Sequence, residues 1–518
     1  MIINEMNRVA IGDIIRRTTA RFPEKVAIKD RDIQLTYKQL NDLCNQYANH
    51  LLNNGYKKGD CIATIAGNSY EHIIAIYGIA KAGLTWVPIN PMISIEEKKY
   101  ILNEVKASTI LDDPLFLNKD SEHLQQHSLF YFDNNSSISQ QSFLSAFVNE
   151  SSNEPRVDIQ DRDTAQIMFT SGTTGNPKGV MISHLSVYMS SLTNIIEINL
   201  SPQDKPTIMM PIFHCAQHTF LTSFLNIGAT NVVINGFDPE SLMALIEKER
   251  INFMFALPMM YKALLYHPKR AEYNLSSLKT CVYAMAPIDR ESLEKAIQEF
   301  DADFHLGTGQ TEMYPATMIF KSEEQLRRFG SYWGTSSLIN DTAIMDDEGN
   351  FLTNNQVGEI VHRGPNVMNG YLNNKEATEQ TRRSGWHHTG DLGYWDEDGQ
   401  MVFVDRKKDV IKTGGENVAS IKVEQTILNH HKVENVVVVG LPHEKWNEAV
   451  TAFIIPKKDA ELTKEEIIIF CKRNLGSFQV PKDVLFVDEL PMTSTGKIQK
   501  HKVRSMHTAH YKQVNKMG

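Results

Sequence analysis

The chain has 518 residues, of which 42% are hydrophobic, and a formal net charge of −9. This length exceeds what one hydrophobic core usually serves, so we expect at least two domains. The acidic balance argues against a general nucleic-acid binder. The five cysteines show no CxxC pair, which argues against both a disulfide framework and a zinc site.

The start of the chain has no positive segment followed by a long apolar run, and no stretch is long and apolar enough to span a bilayer. We therefore expect a soluble, cytoplasmic protein with free, buried thiols and no nucleic-acid partner. A loose membrane association and a homodimer stay open.

The first four-fifths of the chain alternates helical patterns with short apolar strands. Residues 11–55 predict amphipathic helices around a strand at 25–30, and residues 71–83 predict a packed helix. Residues 85–91 predict a strand that runs into a turn, and further strands are predicted at 207–210, 231–234, 253–256 and 280–283. This alternation predicts an α/β fold, with a large N-terminal domain of parallel or mixed sheets flanked by helices.

Two segments interrupt this pattern. Residues 133–155 are rich in Ser, Asn and Gln and predict a polar, poorly ordered connection. Residues 404–409 form a dense charged run, which taken alone favours a solvated hairpin. We place a domain boundary there, giving domains 1–405 and 406–518. The second is the size of a small α+β domain, with strands at 434–440 and 449–456 and a helix at 464–475.

The segment from Met168 to Val180, MFTSGTTGNPKGV, combines three glycines, several hydroxyl side chains and a lysine. Glycines let main-chain N–H groups approach an anion closely, and the hydroxyls and Lys178 add donors and positive charge. It is not a Walker A loop, because no Gly-Lys-Ser/Thr follows at the required spacing. The chemistry favours a nucleotide phosphate loop over the alternative, a mobile surface turn.

Three other short segments carry side chains that suit a nucleotide. Thr311 and Glu312 follow a glycine turn and can offer a hydroxyl and a carboxylate to Mg²⁺, although a single Glu is more often a surface residue. Asp391 can accept hydrogen bonds from two adjacent ribose hydroxyls, or it can be an ordinary turn aspartate beside a glycine. Lys497 lies on a Pro/Ser/Thr/Gly loop, where a lysine alone would be taken as solvated.

The loop sequence TSGTTGNPKG resembles the signature of the adenylate-forming superfamily, which includes acyl-CoA synthetases, adenylation domains of peptide synthetases and beetle luciferases. The other motifs match in family order from Thr36-Tyr37 to Lys497. In character the chain is closest to bacterial fatty-acid–CoA ligases. The resemblance implies a ligase that uses ATP, Mg²⁺ and CoA. A carboxylate attacks the α-phosphate of MgATP to give acyl-adenylate and pyrophosphate, and CoA then forms the thioester and releases AMP.

The resemblance also implies the residues of the nucleotide site. Thr311 contacts the α-phosphate, Asp391 and Arg406 contact the ribose, and the metal ligands are Thr170 and Glu312. The implied ATP and AMP set is Thr170, Ser171, Gly172, Thr173, Thr174, Gly175, Lys178, Ala286, Gly309, Gln310, Thr311, Asp391, Arg406 and Lys497.

One position departs from the family pattern. Thr308 stands where the family usually has a Tyr that stacks on adenine. Either the affinity for ATP is lower, or a neighbouring residue such as Tyr283 compensates.

The resemblance assigns catalysis to Lys497, on the loop 491–498, together with Thr311 and Glu312. The lysine charge would bridge the substrate carboxylate and the α-phosphate as charge builds on phosphorus. A carboxylate is already a nucleophile, so positioning and charge neutralisation do most of the catalysis. Lys408 falls at the family's hinge, about which the small mobile domain rotates between the two half-reactions.

The same resemblance places CoA beside Gly414 and Gly415, with Trp446 stacking on its adenine; a core role for Trp446 is equally compatible with the sequence. It places the acyl group beside Phe213, His214, Ala286 and Gly309. His214 stands where peptide-synthetase domains have an Asp that pairs with an amino group, which argues against an α-amino acid.

The leading substrate is a medium- or long-chain fatty acid, which places the enzyme in lipid metabolism. A short or betaine-type acid of the carnitine kind is the first alternative, and loading of a carrier-protein thiol is the second. From another class, a non-catalytic adenylate-binding protein is conceivable because of Thr308, but the retained Lys497, Asp391 and Glu312 argue against it.

Overall fold

The computed structural model describes residues 8–107, 109–113, 128–131, 143–170, 177–284, 288–328, 330–492 and 498–511. In these ranges the strands form three sheets before residue 407 and one after residue 410. The predicted α/β class is confirmed, with mixed sheets in the large part of the chain.

The first sheet contains the N-terminal strand predicted at 25–30 and pairs it in parallel with a strand some 200 residues later. Its strands, in spatial order, are Ile33–Thr36, Val26–Asp30, Asn231–Val233 and Thr207–Ile208. Two of the strands predicted in the middle of the chain therefore belong here.

The second sheet has a parallel centre and an antiparallel edge. The antiparallel edge forms because Lys178–Ser183, the strand after the predicted phosphate loop, pairs with Thr164–Thr170, the strand before it. In spatial order the strands are Gly370–Tyr371, Lys178–Ser183, Thr164–Thr170, Thr85–Ile89, Cys61–Ile65, Thr109–Asp112 and Ser128–Tyr131.

The third sheet begins with parallel strands and continues antiparallel. The Thr311–Glu312 segment connects two neighbouring strands of this sheet, and Asp391 lies on another of its strands. Its strands, in spatial order, are Phe253–Ala256, Thr280–Tyr283, Asp303–Thr308, Met318–Phe320, Tyr332–Ser336, Met401–Arg406, His387–Trp395, Gly358–Arg363 and Asp341–Met345.

The C-terminal sheet starts at Ile411, five residues after the last strand of the third sheet ends at Arg406. It has its own apolar cores, which bury residues such as Val423, Val438 and Phe453. Its strands are Glu416–Val418, Ile411–Thr413, Asn447–Pro456 and Val433–His443, with Asp483–Phe486 on Asn447–Pro456.

The helices cover the sheets and begin mostly at side-chain caps, as at Ser69, Ser183 and Thr463. In chain order they are Gly12–Arg21, Tyr37–Asn53, Tyr70–Lys81, Ile95–Val105, His184–Glu197, Cys215–Ile227, Pro239–Glu249, Pro258–Leu265, Arg290–Phe300, Ser322–Gln325, Lys375–Thr381, Ser420–Leu428, Lys464–Asn474 and Lys500–His507.

The helix predicted at 71–83 spans Tyr70–Lys81 and is buried on every side, as its mostly apolar sequence favours. Even Lys81 is fully buried, because its Nζ pairs with Glu154 Oε1 at 2.7 Å. Across the described ranges, no helix has both the length and the apolarity needed to cross a bilayer.

Two predictions for the irregular segments need correction. Part of the predicted poorly ordered connection, from residue 143 on, is packed, because Phe143 and Phe147 are buried against Tyr47. Residues 133–142 lie outside the described ranges. The charged run at 404–409 is not a solvated hairpin: Asp405 is buried and accepts hydrogen bonds from the backbone N–H and the hydroxyl of Ser420.

The cysteine prediction holds. All five cysteines are free thiols, and four of them are buried, while Cys61 is half-buried. Burial raises the pKa of Cys215 to about 12 and that of Cys44 to about 12, so these thiols stay protonated.

Candidate active site

The predicted phosphate loop joins two antiparallel strands of the second sheet. Thr170 is paired with Lys178 across this hairpin. Ser171, Gly172, Thr173, Thr174 and Gly175 lie outside the described residues. The Lys178 ammonium lies over the ring of Tyr371, 5.1 Å from the ring centroid. The hairpin therefore holds a positive charge at the edge of the sheet.

Tyr371 connects the phosphate-loop hairpin to Glu312. Its short strand pairs with Lys178–Ser183, and its hydroxyl donates to Glu312 Oε1 at 2.9 Å. Burial, followed by the nearby Glu312 charge, raises the pKa of Tyr371, so the hydroxyl stays protonated and remains a donor. The backbone of Glu312 is held as well, since its carbonyl accepts from Met368 N at 2.8 Å. Lys178, Tyr371 and Glu312 thus form one group.

Glu312 is a suitable magnesium ligand on the evidence of its neighbours. Within the described ranges it forms no ion pair with a Lys or Arg, and its known partner is the neutral Tyr371 hydroxyl. A carboxylate kept free of cations can bind Mg²⁺ together with substrate phosphates, and Mg²⁺ commonly uses one or two protein carboxylates in such sites. The described residues hold no cluster of three or more ligating side chains.

Gln310 joins the Thr311–Glu312 segment to the Asp391 segment. Its Nε2 donates to the Thr389 carbonyl at 2.8 Å and to Asp391 Oδ2 at 2.9 Å. Its Oε1 lies 3.2 Å from Nε2 of His387, which can donate from that nitrogen. Burial, then the charges of neighbouring histidines, lowers the pKa of His387 to about 3, so this imidazole is neutral. Two motifs some 80 residues apart are therefore in direct contact.

Asp391 and Arg406, both predicted ribose contacts, lie opposite each other on neighbouring strands. Arg406 Nε is 3.1 Å from Asp391 Oδ1. Asp391 is almost fully buried, so its remaining acceptor capacity faces few groups other than Gln310 and Arg406. The sequence predicts both residues, and the structure brings them together.

Glu359 lies on the strand that pairs with the Asp391 strand, and the sequence reasoning missed it. It is 4% exposed and accepts from Gly390 N at 3.0 Å, next to Asp391. Its carboxylate also pairs with Arg383 Nη2 at 2.6 Å, Lys407 Nζ at 3.2 Å and His388 Nδ1 at 3.2 Å. Burial alone would raise its pKa, but the hydrogen bonds from His388 and Gly390 and the two cations hold it below the ordinary value of 4.5.

Thr308 takes the place of the family's Tyr, and Tyr283 does not compensate for it. Tyr283 is buried in an apolar core, and its hydroxyl donates to Gln325 Oε1 at 2.6 Å. Its ring therefore does not line the nucleotide site. Thr308 Oγ1 is buried and has no hydrogen-bond partner among the described residues. Gly309, which follows, must be glycine, since a Cβ would lie 2.7 Å from Pro315 Cβ.

The predicted acyl-site residues Phe213 and His214 immediately precede the helix Cys215–Ile227. The His214 side chain caps this helix, with Nδ1 3.4 Å from Ala216 N. Cys215 Sγ lies 3.7 Å from Thr311 Oγ1. The start of the helix thus meets the predicted catalytic segment. Ala286 lies outside the described residues.

A narrow cavity with about 30 Å³ of free volume begins beside this helix. Most of its lining is apolar, but three side chains are polar. The lining residues are Asn194, Ile198, Ala216, Thr219, Phe220, Phe255, Val282, Ala284, His305, Gly307, Pro315, Ala316 and Ile319. It lies next to the predicted acyl site in the chain, because its lining residues Gly307 and Pro315 flank Gly309 and Thr311.

A second and larger cavity, of about 760 Å³, lies on the C-terminal sheet beside Gly414, Gly415 and Trp446. Gly414 has φ +60°, and a Cβ there would lie 3.0 Å from Trp446 Cε3. The ring is half-buried and flanked by Lys445 and Lys482, whose ammonium groups lie 4.8 Å and 5.1 Å from its centroid. Trp446 is therefore a wall of an open cleft and not a core residue.

The predicted hinge, Lys408, lies in the turn between the third and the C-terminal sheets, with its side chain exposed.

Lys497 lies outside the described residues. The base of its loop is closed, because Gln499 N donates to the Pro491 carbonyl at 2.8 Å and Met492 pairs with Ile498. The next helix is fixed to the chain after the hinge, since Arg504 Nη2 is 2.8 Å from Asp409 Oδ1.

Sequence reasoning missed Tyr371 and Glu359, which contact residues that are distant in the chain, and Asn194 and His305, which line the narrow cavity. No local motif marks any of the four. The Gly-Tyr pair at 370–371 was the one weak signal, since a lone aromatic after a glycine is compatible with many roles.

Comparison with known proteins shows matches along nearly the whole chain. Residues 15–372 match the family described as AMP-binding enzyme, and residues 422–497 match its C-terminal domain. A feruloyl-CoA synthase of Amycolatopsis sp is 29% identical over 96% of this chain and 99% of its own length. The long-chain-fatty-acid–CoA ligase FadD13 of Mycobacterium tuberculosis is 30% identical over 96% and 99%.

A solved structure shows the same fold. The o-succinylbenzoate CoA synthetase MenE of Bacillus subtilis, in complex with its acyl-adenylate intermediate OSB-AMP, superposes with a TM-score of 0.85. The two sequences are 26% identical, and the match covers 95% of this chain and 98% of that one.

Proposed function

Since the chain belongs to the AMP-binding enzyme family and is an AMP-forming acyl-CoA synthetase, we propose how its residues divide the reaction and which acid it activates. It uses ATP and CoA, and enzymes of this kind generally require Mg²⁺. The observation that carries the proposal is a series of contacts: Lys178 lies over Tyr371, Tyr371 bonds to Glu312, and Gln310, two residues before Glu312, bonds to Asp391.

In the first half-reaction, an oxygen of the substrate carboxylate attacks the α-phosphorus of ATP. The bond from that phosphorus to the bridging oxygen breaks, and pyrophosphate leaves with the electron pair. We propose that Lys178 and the loop hydroxyls hold the phosphates, and that Asp391 and Arg406 hold the ribose. Glu312, positioned by Tyr371, would hold Mg²⁺ with Thr170, and the ion would offset phosphate charge.

In the second half-reaction, the CoA sulfur attacks the acyl carbonyl, the bond to the AMP oxygen breaks, and AMP leaves. The thiol proton is lost to solvent. We place CoA along Gly414 and Gly415, with its adenine on Trp446, because these residues line the open cleft of the C-terminal sheet. The two domains, 1–405 and 406–518, would exchange Lys497 for this face by rotation about Lys408.

The proposed division of labour makes Lys497 specific to the first half-reaction. Lys497→Ala should lose adenylation, measured by ATP–pyrophosphate exchange, yet still convert supplied acyl-adenylate with CoA. An equal loss of both half-reactions in a folded variant would overturn this division.

The acid proposed from the sequence is a medium- or long-chain fatty acid, and the apolar side chains of the cavity, Phe220, Phe255 and Ile319 among them, support it. The small free volume of about 30 Å³ supports a second candidate, a short acid. A betaine-type acid fits less well, because the described lining residues include no carboxylate to pair with its cation.

The test is AMP release by the purified protein with MgATP and CoA, across carboxylic acids from acetate to palmitate and including aromatic, dicarboxylic and betaine acids. A CoA-dependent optimum would support the proposal and name the acid class. If AMP appeared only when a phosphopantetheinyl carrier protein replaced CoA, the acceptor would be a carrier thiol. ATP binding without turnover of any acid would refute the proposal.

A further inference from the structure

The acyl cavity contains buried polar side chains that a plain hydrocarbon chain cannot satisfy. Asn194 is fully buried on the helix His184–Glu197, and its Oδ1 has no hydrogen-bond partner among the described residues. His305, on the strand Asp303–Thr308, likewise has its Nδ1 buried without a partner in that part of the chain. Both residues line the cavity. Buried polar groups in folded proteins are nearly always hydrogen-bonded, so this pair requires an explanation.

The third polar residue, Thr219, ties the pair into the cavity wall. Asn194 Nδ2 donates to Thr219 Oγ1 at 3.4 Å, and Thr219 also lines the cavity. In this orientation of the amide, Oδ1 is the atom without a partner among the described residues. Asn194 therefore offers an acceptor, held in position by a neighbouring helix, and His305 offers a second polar atom from the opposite sheet.

The backbone leaves a path from the reaction centre to these atoms. Gly307 lies two residues after His305 on the same strand, so both face the same side. A Cβ at Gly307 would meet only Val282 Cγ1, at 3.9 Å, so the space in front of Gly307 is open. The strand ends at Thr308, and the chain continues directly through Gly309 to Thr311. An acyl chain that starts at Thr311 and follows this strand reaches His305.

The polar group that fits is neutral. The described lining residues include no Lys, Arg, Asp or Glu. Burial lowers the pKa of His305 below its ordinary value of 6.5, so its imidazole is uncharged at neutral pH. A second carboxylate or a quaternary ammonium in this cavity would be buried without a counter-charge, which is strongly unfavourable.

We infer that the acid activated by this enzyme carries a neutral hydrogen-bonding group, a hydroxyl or a carbonyl, on an otherwise apolar acyl body. The group bonds to Asn194 and His305, while the apolar body lies against Phe220, Phe255 and Ile319. This inference rests on the proposed acyl-CoA synthetase function and narrows its substrate to hydroxy or oxo acids. A site built to hydrogen-bond a substrate group discriminates strongly against the analogue that lacks it, because its own polar atoms then stay unpaired.

The test compares matched acid pairs with the full-length wild-type enzyme. Butyric, hexanoic and decanoic acids are each measured against their hydroxylated and oxo derivatives by CoA-dependent AMP release. At the best chain length, we expect the substituted acid to have a kcat/KM at least about tenfold higher than the plain acid. If the plain acid of every pair is as good or better, the inference is overturned while the proposed function stands. If no acid releases AMP, the proposed function itself fails.

Two variants locate the preference. Asn194→Leu and His305→Leu should each reduce the ratio of kcat/KM between the substituted and the plain acid by about tenfold, mainly by raising activity on the plain acid relative to the substituted one. His267→Leu, a half-buried histidine outside the cavity, is the matched control and should keep the wild-type ratio. An unchanged ratio in both cavity variants would overturn the assignment. If a variant fails to fold, the wild-type comparison still decides.

Discussion

Replacement of Glu359 tests whether its buried charge holds the segment around Asp391, the predicted ribose contact, in place. Glu359 is 4% exposed and accepts from Gly390 N, one residue before Asp391. Glu359→Gln keeps the shape of the side chain but removes its charge. We therefore expect loss of both protein stability and affinity for ATP.

The magnitude follows from the partners of the carboxylate. Hydrogen bonds to a charged group contribute about 1.5–3 kcal/mol, but Arg383 and Lys407 are each about two-fifths exposed and can turn to water. We expect Glu359→Gln to lower the free energy of unfolding by about 2 kcal/mol. Glu359→Ala should cost about 3–5 kcal/mol, because it leaves Nδ1 of His388 and the Gly390 N–H buried without a partner.

The assay is urea denaturation at pH 7 and at acid pH, with KM for ATP measured in parallel. The pKa of Glu359 is below its ordinary value of 4.5 in the folded protein, so the unfolded state binds the proton more readily. The stability that the carboxylate contributes is complete above pH 4.5 and is lost as the pH falls through the folded pKa. The difference between wild type and Glu359→Gln should therefore shrink below that pH.

Glu397→Gln is the matched control, since Glu397 is exposed on the turn that follows Trp395. It should leave both the unfolding free energy and the KM for ATP unchanged. Wild-type stability together with a wild-type KM in Glu359→Gln would refute the reasoning, because the buried charge would then support nothing.

Three further outcomes are expected. Tyr371→Phe should raise the KM for MgATP about tenfold, because it removes the hydrogen bond that positions Glu312; that factor corresponds to about 1.4 kcal/mol. An unchanged KM in steady-state kinetics would count against it. Gly414→Ala should slow thioester formation from supplied acyl-adenylate but spare ATP–pyrophosphate exchange, since its Cβ would press on Trp446, whereas Gly236→Ala, also at positive φ but in open space, should spare both. Burial lowers the pKa to about 4 at each of His72, His184 and His362, so the folded protein keeps these histidines neutral where the unfolded chain protonates them. The free energy of unfolding should therefore fall as the pH drops from 6.5 to 4, by about 1.4 kcal/mol per pH unit for each histidine. A urea midpoint that does not change over this pH range would contradict the expectation.

Much of the fold could be predicted because the signals were local. The helix predicted at 71–83 lies at Tyr70–Lys81, and the strands predicted at 253–256 and 280–283 lie at Phe253–Ala256 and Thr280–Tyr283. The spacing of the apolar residues and the positions of the turn residues determine such elements directly. Which sheet each strand joins depends on pairing across hundreds of residues, as for Val26–Asp30 and Asn231–Val233, and the sequence has no local signal for this.

The site residues show the same contrast between local motifs, which the sequence reveals, and long-range contacts, which it does not. Asp391 and Arg406 could be named from motifs, and the structure brings them within 3.1 Å of each other. The role suggested for Tyr283 was wrong, because the alternation of its strand directs the ring into the core, where the hydroxyl meets Gln325. Glu359 and Asn194 could not be predicted, because each matters only through groups that folding brings to it.

The most direct test of the central claim uses an acid whose carboxylate oxygens carry a heavy isotope. The acid is the one that gives the fastest CoA-dependent AMP release, and the AMP is analysed by mass spectrometry. If a carboxylate oxygen attacks the α-phosphorus and the thiol then displaces AMP, each AMP should contain one labelled oxygen, and the thioester carbonyl should retain the other. AMP without label, formed while the thioester accumulates, would contradict an acyl-adenylate intermediate.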